Sequence, residues 1–215
     1  MYLSRIALDT TRRTTMMALS APQEIHGAIE SAFAGERSRR LWRLDSLGGR
    51  QYLLILSEEK ADLTSVARQF SAKDSRPETK LYDPLLQRIE EGSVWQFRLT
   101  ANPTKSVLEN KGSAVRGSVK ACGVVAEQEQ WLRDRAEKHG FSVREGAFRV
   151  TASQWFRFAK GGTGPKVSLL SVTYEGMLQV TDAELFRETL TKGMGRGKAY
   201  GMGLLTVMRP PMSHA

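Results

Sequence analysis

Apolar residues along this chain change period in a set order, and then do so again. Residues 2–9 read as a strand, and 20–34 take helical spacing through Ile25, Ala28, Ile29, Ala32 and Phe33. Segments 40–45 and 52–56 flank Gly48 and Gly49 as a hairpin, and a second helix is expected over 61–70. Residues 94–101 then alternate cleanly, with Trp95, Phe97 and Leu99 on one face and Gln96, Arg98 and Thr100 on the other. The order is strand, helix, strand, strand, helix, strand.

The second half repeats it less tidily. A strand near 115–125 precedes a helix over 127–139, strands within 141–158 and 167–180, a helix over 182–192 and a strand over 204–208. Doubled βαββαβ order predicts an α+β protein of two tandem ferredoxin-like (RRM-like) domains. The duplication rests on element order alone, since no residue-level repeat is visible. The expected division is an N-terminal domain over 1–101, a linker over 102–117 holding Pro103, Gly112 and Gly117, and a C-terminal domain over 118–215. Ser20 with Gln23, and Thr181 with Glu184, read as capping boxes, and Gly193 as a helix stop.

The most unusual local feature is Lys192 to Leu205, where five glycines (Gly193, Gly195, Gly197, Gly201, Gly203) run among Arg196 and Lys198. Glycine lets a backbone approach a ligand closely, and successive N–H groups can cradle phosphate oxygens. Equally, these glycines could do no more than end a helix and shape a turn. Nucleotide fingerprints fail here. A P-loop would need glycine at 192 and Ser or Thr at 199, where Lys192 and Ala199 stand, and Tyr200 occupies the last glycine position of a dinucleotide motif. The anion expected is therefore not a nucleotide cofactor.

Charge points to a polyanion. Thirty-two Lys and Arg against 23 Asp and Glu leave a formal net charge of +9, which favours nucleic acid over acidic proteins in general. No acid lies between Glu145 and Glu175, where Arg149, Arg157, Lys160 and Lys166 occur, and after Glu188 only cations follow. The segment 157–166 reads as a basic, glycine-rich tip between two strands, able to track RNA phosphates or to serve only as a soluble loop. Trp95 and Phe97 fit a core better than a stacking platform, because the RNP signature is absent.

No segment approaches the ~20 apolar residues of a membrane span, the N-terminus lacks a secretory-signal layout, and lone Cys122 suits a reducing compartment. A cytoplasmic protein without structural zinc or cofactor is expected. Were RNA the ligand, its own 2'-hydroxyl could attack the adjacent phosphate, leaving the protein to move protons and stabilise negative charge. Of the histidines at 26, 139 and 214, His26 is best placed, at the border of an apolar helix face near the helix start. His139 fits a helix-end dipole cap and His214 a frayed tail.

Taken in series, Met1-Tyr2-Leu3-Ser4-Arg5, Glu24-Ile25-His26, Phe97 through Lys105, Trp131-Leu132, Tyr174 through Leu178 and Gly193 through Leu205 resemble the CasE family of CRISPR repeat-processing endoribonucleases over nearly the whole chain. The resemblance implies two ferredoxin-like domains, recognition of a CRISPR repeat RNA hairpin, and metal-independent cleavage at its 3' base. It also implies retention as a Cascade subunit beside a backbone subunit, with target DNA met only through the complex. His26 matches the family's catalytic histidine. Three residues earlier the family places a tyrosine, where this chain has Gln23. Glutamine cannot supply a phenolic proton, though its amide could bond a phosphate oxygen. By resemblance, Arg157, Lys160 and Lys166 contact the RNA stem as an inserted hairpin, and Lys105, Arg196 and Lys198 lie along its backbone. The competing expectation is a non-catalytic, crRNA-hairpin-binding structural subunit.

Overall fold

The structure, a computed structural model, describes residues 1–34, 38, 40–107, 118–159, 164 and 166–210. In chain order the elements are β1 (Tyr2–Ala7), α1 (Arg13–Ser20), α2 (Pro22–Glu30), β2 (Leu41–Leu47), β3 (Arg50–Ser57), α3 (Thr64–Phe70), β4 (Glu78–Leu81) and α4 (Asp83–Leu86). There follow β5 (Val94–Ala101), β6 (Thr104–Val107), β7 (Ser118–Ala121), α5 (Val125–Ala136), β8 (Phe141–Ser142), β9 (Phe148–Ala159), β10 (Lys166–Val180), α6 (Ala183–Lys192) and β11 (Leu205–Met208).

Two antiparallel sheets result. The first runs β2-β3-β1-β4, and the second β11-β5-β10 with β9 on the far side of β10 and the short β8 against the end of β10. In each, the first strand lies between the third and the fourth, which is the ferredoxin-like split arrangement. Against the first sheet pack α2 and α3, burying Ile25, Ala28, Ile29, Val66 and Phe70 on Ile6, Leu53 and Ile55. Against the second pack α5 and α6, whose Trp131, Leu132, Phe186 and Leu190 join Phe97, Leu99, Val172 and Tyr174.

Several expectations need correcting. Strand β5 does not close the first sheet. It pairs with β10 from Val172↔Ala101 to Gln179↔Val94 and with β11 from Leu205↔Leu99 to Met208↔Gln96, so it opens the second. The division drawn at residue 101 therefore cuts β5 away from the sheet it belongs to. The first sheet is completed by β4, a short edge strand of sequence Glu-Thr-Lys-Leu beside β1. The strand expected at 115–125 is β7, which pairs only with β6 in a separate two-stranded hairpin, and Val125 already starts α5. Strand β6 lies in the first part of the supposed linker and β7 directly after it, and the linker's 108–117 portion lies outside the described residues.

Neither capping box forms. Ser20 ends α1, its Oγ donating to the Met17 carbonyl at 2.8 Å, and α2 begins after Ala21 with Pro22. At α6 the cap is Asp182, whose Oδ1 accepts the Leu185 N–H at 2.9 Å. The expected helix over 127–139 is α5 followed by a 3-10 turn, Glu137–His139, closed by Gly140 at φ 76°.

Candidate nucleic-acid interface

The glycine-rich segment links α6 to β11 and lies in the seam between the two sheets. Gly193, Gly195, Gly197, Gly201 and Gly203 all have φ between 68° and 91°, a region costly for any residue with a Cβ. The backbone folds so closely that a Cβ at Gly201 would lie 2.6 Å from the Trp42 ring, and one at Gly193 2.9 Å from Leu41. Met194 and Met202 turn inward and are buried. Within the loop, the Met194 N–H donates to the Gly203 carbonyl and the Gly203 N–H to the Thr100 carbonyl. These two amides hold the loop's own shape and are not available to an anion. Many of the glycines thus answer to close packing, the plainer of the two expectations, and the cations ride on the result.

Arg196 is exposed and its backbone bridges Asn102. Lys198 begins a 3-10 turn, Lys198–Tyr200, that packs against α2, the helix carrying half-buried His26. The last residue of that turn, Tyr200, meets Phe158 of β9 with ring centroids 5.1 Å apart. His26's helix, the loop cations and the long β9–β10 hairpin therefore adjoin one another. Arg157, opposite Ser168, and Lys166, opposite Ala159, lie near the end of that hairpin. Exposed Trp155 carries the Arg157 guanidinium 5.9 Å from its ring centre. Lys160 lies outside the described residues. Lys105 is on β6, its Nζ 2.5 Å from Glu127 Oε1.

Gln23 is placed apart from the loop. With Thr14, Met17, Gly27 and Gln69 it lines a hollow of about 590 Å³, whereas Pro22, four residues before His26, lines a cleft of about 540 Å³ between the sheets. The Gln23 Oε1 is buried without a hydrogen-bond partner among the described residues. Positions 23 and 26 are three residues apart on α2 and so lie on neighbouring parts of one helix face.

Sequence reasoning missed two cations. Arg135 spans α5 and β6: it lies 4.5 Å over the Trp131 ring and donates to the Trp131 and Thr104 carbonyls, both at 3.4 Å, while Trp131 itself backs onto Gly195. Burial, then repulsion from Lys198 and Arg135, holds the His139 imidazole below its usual value. The His139 Nδ1 lies 3.0 Å from Thr189 Oγ1. Arg43 is the other, buried between the sheets. Only the i, i+4 spacing of Trp131 and Arg135 on a helix hinted at the first, and nothing local at the second.

Two ferredoxin-like sheets with a basic glycine loop packed on a histidine-bearing helix define a protein of the paired ferredoxin-like class. Among such proteins the chain belongs to the CRISPR-associated family of Cse3 and CasE: a family model described as CRISPR associated protein matches residues 1–209. The CRISPR-associated endoribonuclease Cse3 of Thermus thermophilus is 30% identical over 220 residues, 96% of this chain and 99% of that protein. The Cascade subunit CasE of Escherichia coli is 31% identical over 125 residues, 56% of this chain and 60% of that one. A solved structure of Cse3 endoribonuclease bound to a 19-nucleotide RNA superposes with a TM-score of 0.80 at 27% identity, covering 97% of this chain and all of that one.

Proposed function

We propose that the protein binds the repeat stem-loop of precursor CRISPR RNA and cuts at its 3' base. The observation that carries this is the packing of the His26 helix against the Lys198–Tyr200 turn of the glycine loop, in a chain that shares nearly its full length with an endoribonuclease. In the reaction the ribose 2'-oxygen attacks the adjacent phosphorus and the bond from phosphorus to the 5'-oxygen breaks. The products are a 2',3'-cyclic phosphate and a 5'-hydroxyl. The 2'-hydroxyl loses a proton and the leaving oxygen gains one. His26 transfers one of these protons, a role worth roughly 10²- to 10⁴-fold, and Arg196 and Lys198 offset the charge that builds on the phosphate. Because the nucleophile belongs to the RNA, the route needs no metal. Arg157 and Lys166 hold the stem through its backbone, since side chains read the deep groove of A-form RNA poorly. After cleavage the protein stays on the processed RNA as a Cascade subunit, as CasE is, beside a backbone subunit and without direct target-DNA contact.

A second reading, a binding subunit without cleavage, is favoured by Gln23, which stands where the resemblance places a tyrosine and has no phenolic proton to give. Incubating wild-type protein and His26→Ala with the cognate repeat RNA in excess chelator separates the two. A chelator-resistant cut ending in a cyclic phosphate, slowed at least about 100-fold in the variant while binding is kept, supports the nuclease. Intact RNA held equally by both proteins supports the binding subunit.

A further inference from the structure

Three consecutive residues of β2 grip the glycine loop at three points. Leu41 fills the space a Cβ on Gly193 would take, Trp42 does the same at Gly201, and Arg43 bonds the carbonyl of Leu204, where the loop becomes β11. Arg43 is almost wholly enclosed, its side chain 1% exposed and that of Asp45 5%. Its Nε and Nη2 donate to the two Asp45 oxygens at 2.6 and 2.7 Å. Its Nη1 donates to the carbonyls of Arg98 and Leu204, both at 2.8 Å, and Nη2 also to Thr206 Oγ1 at 2.8 Å. All five N–H groups of the guanidinium are thereby engaged, two within β2 and three across the seam on β5 and the β11 limb. Only a planar five-donor fork can do this; a lysine has three donors at one point. Asp45 is in turn 3.6 Å from Arg98, which pairs with Glu175 at 2.7 Å, so the cluster continues onto β10.

The first sheet also carries α2, and α2 packs on the Lys198–Tyr200 turn of the same loop. β2 and α2 thus hold the loop from two sides. We propose that Arg43 is a positioning residue for RNA cleavage, setting the loop cations Arg196 and Lys198 against the His26 imidazole. This rests on the nuclease reading above. A displacement of about 1 Å in such a constellation can cost 10²-fold in rate, whereas Arg157 and Lys166 lie toward the opposite end of the β9–β10 hairpin from Glu175 and keep their places.

The test uses Arg43→Lys and Thr206→Val in the full chain. Three quantities are measured on folded protein: the single-turnover cleavage rate at saturating protein, the Kd for the same repeat hairpin, and amide hydrogen exchange over 193–204. The expected result is a rate at least tenfold lower, a Kd within threefold of wild type, and faster exchange in the loop with β1 and β3 still protected. Should Arg43→Lys fail to fold, Thr206→Val decides, since it removes only the Thr206 hydroxyl contacts to Arg43 and to the Arg98 carbonyl and keeps the shape. An unchanged rate in a folded variant overturns the proposal, as does a loss in Kd equal to the loss in rate. If wild-type protein leaves the RNA uncut, the nuclease reading fails and takes the role in cleavage with it. Loop exchange in the same variants then shows by itself whether β2 latches the loop.

Discussion

Gly201 and Gly48 share a positive φ, 78° and 56°, but not a neighbourhood. A Cβ at Gly201 would meet the Trp42 ring at 2.6 Å, while one at Gly48 has nothing within 4 Å. Alanine at Gly48 should therefore cost only the left-handed strain, roughly 1–2 kcal/mol. At Gly201 overpacking of about 1–3 kcal/mol adds to it. Urea midpoints of the two variants test this, and equal losses would show that packing on Trp42 is not what requires glycine. His139 makes a pH prediction. In the unfolded chain its imidazole takes a proton near pH 6.5, but burial, Lys198 and Arg135 hold the folded value lower. Between the two values the unfolded state binds more protons, so this stability is complete above about pH 6.5 and falls as the pH drops below it. From pH 7.5 to 5.5 the Tm of wild type should fall more steeply than that of His139→Gln. Parallel curves would mean that His139 titrates alike in both states.

At the scale of elements, the hairpin of β9 and β10 tests how RNA is held. Arg157 is exposed on β9 beside Trp155, a residue itself 47% exposed. Replacing Arg157 with alanine should weaken repeat-hairpin binding at every salt concentration and lower the slope of log K against log salt by about 1. An unchanged slope in a salt titration would remove Arg157 from the phosphate track. Long periodic elements were legible from sequence: β5 was read at Val94–Ala101 and lies there, with Trp95, Phe97 and Leu99 buried. Elements without a stripe were not. Helix α1 buries only Thr15 and Ala18 and leaves Met16 and Met17 in solvent, and β4 is a polar edge of four residues. The caps failed for a related reason. Thr181 and Asp182 both suit the position, and which one caps is decided by backbone dihedrals set by the β10–α6 turn, not by residue type.

For the whole molecule, the doubled element order was legible but the allocation of strands to sheets was not. β5 follows the first half in sequence and has the same apolar alternation as its strands, so nothing local says that its partners are β10 and β11, more than a hundred residues away for the latter. The candidate site divides along the same line. His26, Arg196 and Lys198 could be named from local chemistry, whereas Arg43 acquires its meaning only from carbonyls at Arg98 and Leu204. The two halves also share a core. Leu41, Leu54 and Leu56 of the first sheet are buried in one cluster with Phe97 and Leu99 of the second sheet, Trp131 of α5 and Leu204 before β11. Unfolding one sheet alone would expose the apolar face of the other and leave Arg43 and Asp45 without their cross-seam partners, a penalty of several kcal/mol for a buried charge pair. The chain should therefore unfold in a single cooperative transition, with calorimetric and van't Hoff enthalpies equal. Two resolved transitions, or native-like amide protection in an isolated 1–81 fragment, would show that the halves are independent. The latch on the glycine loop would then depend on a contact weaker than either sheet.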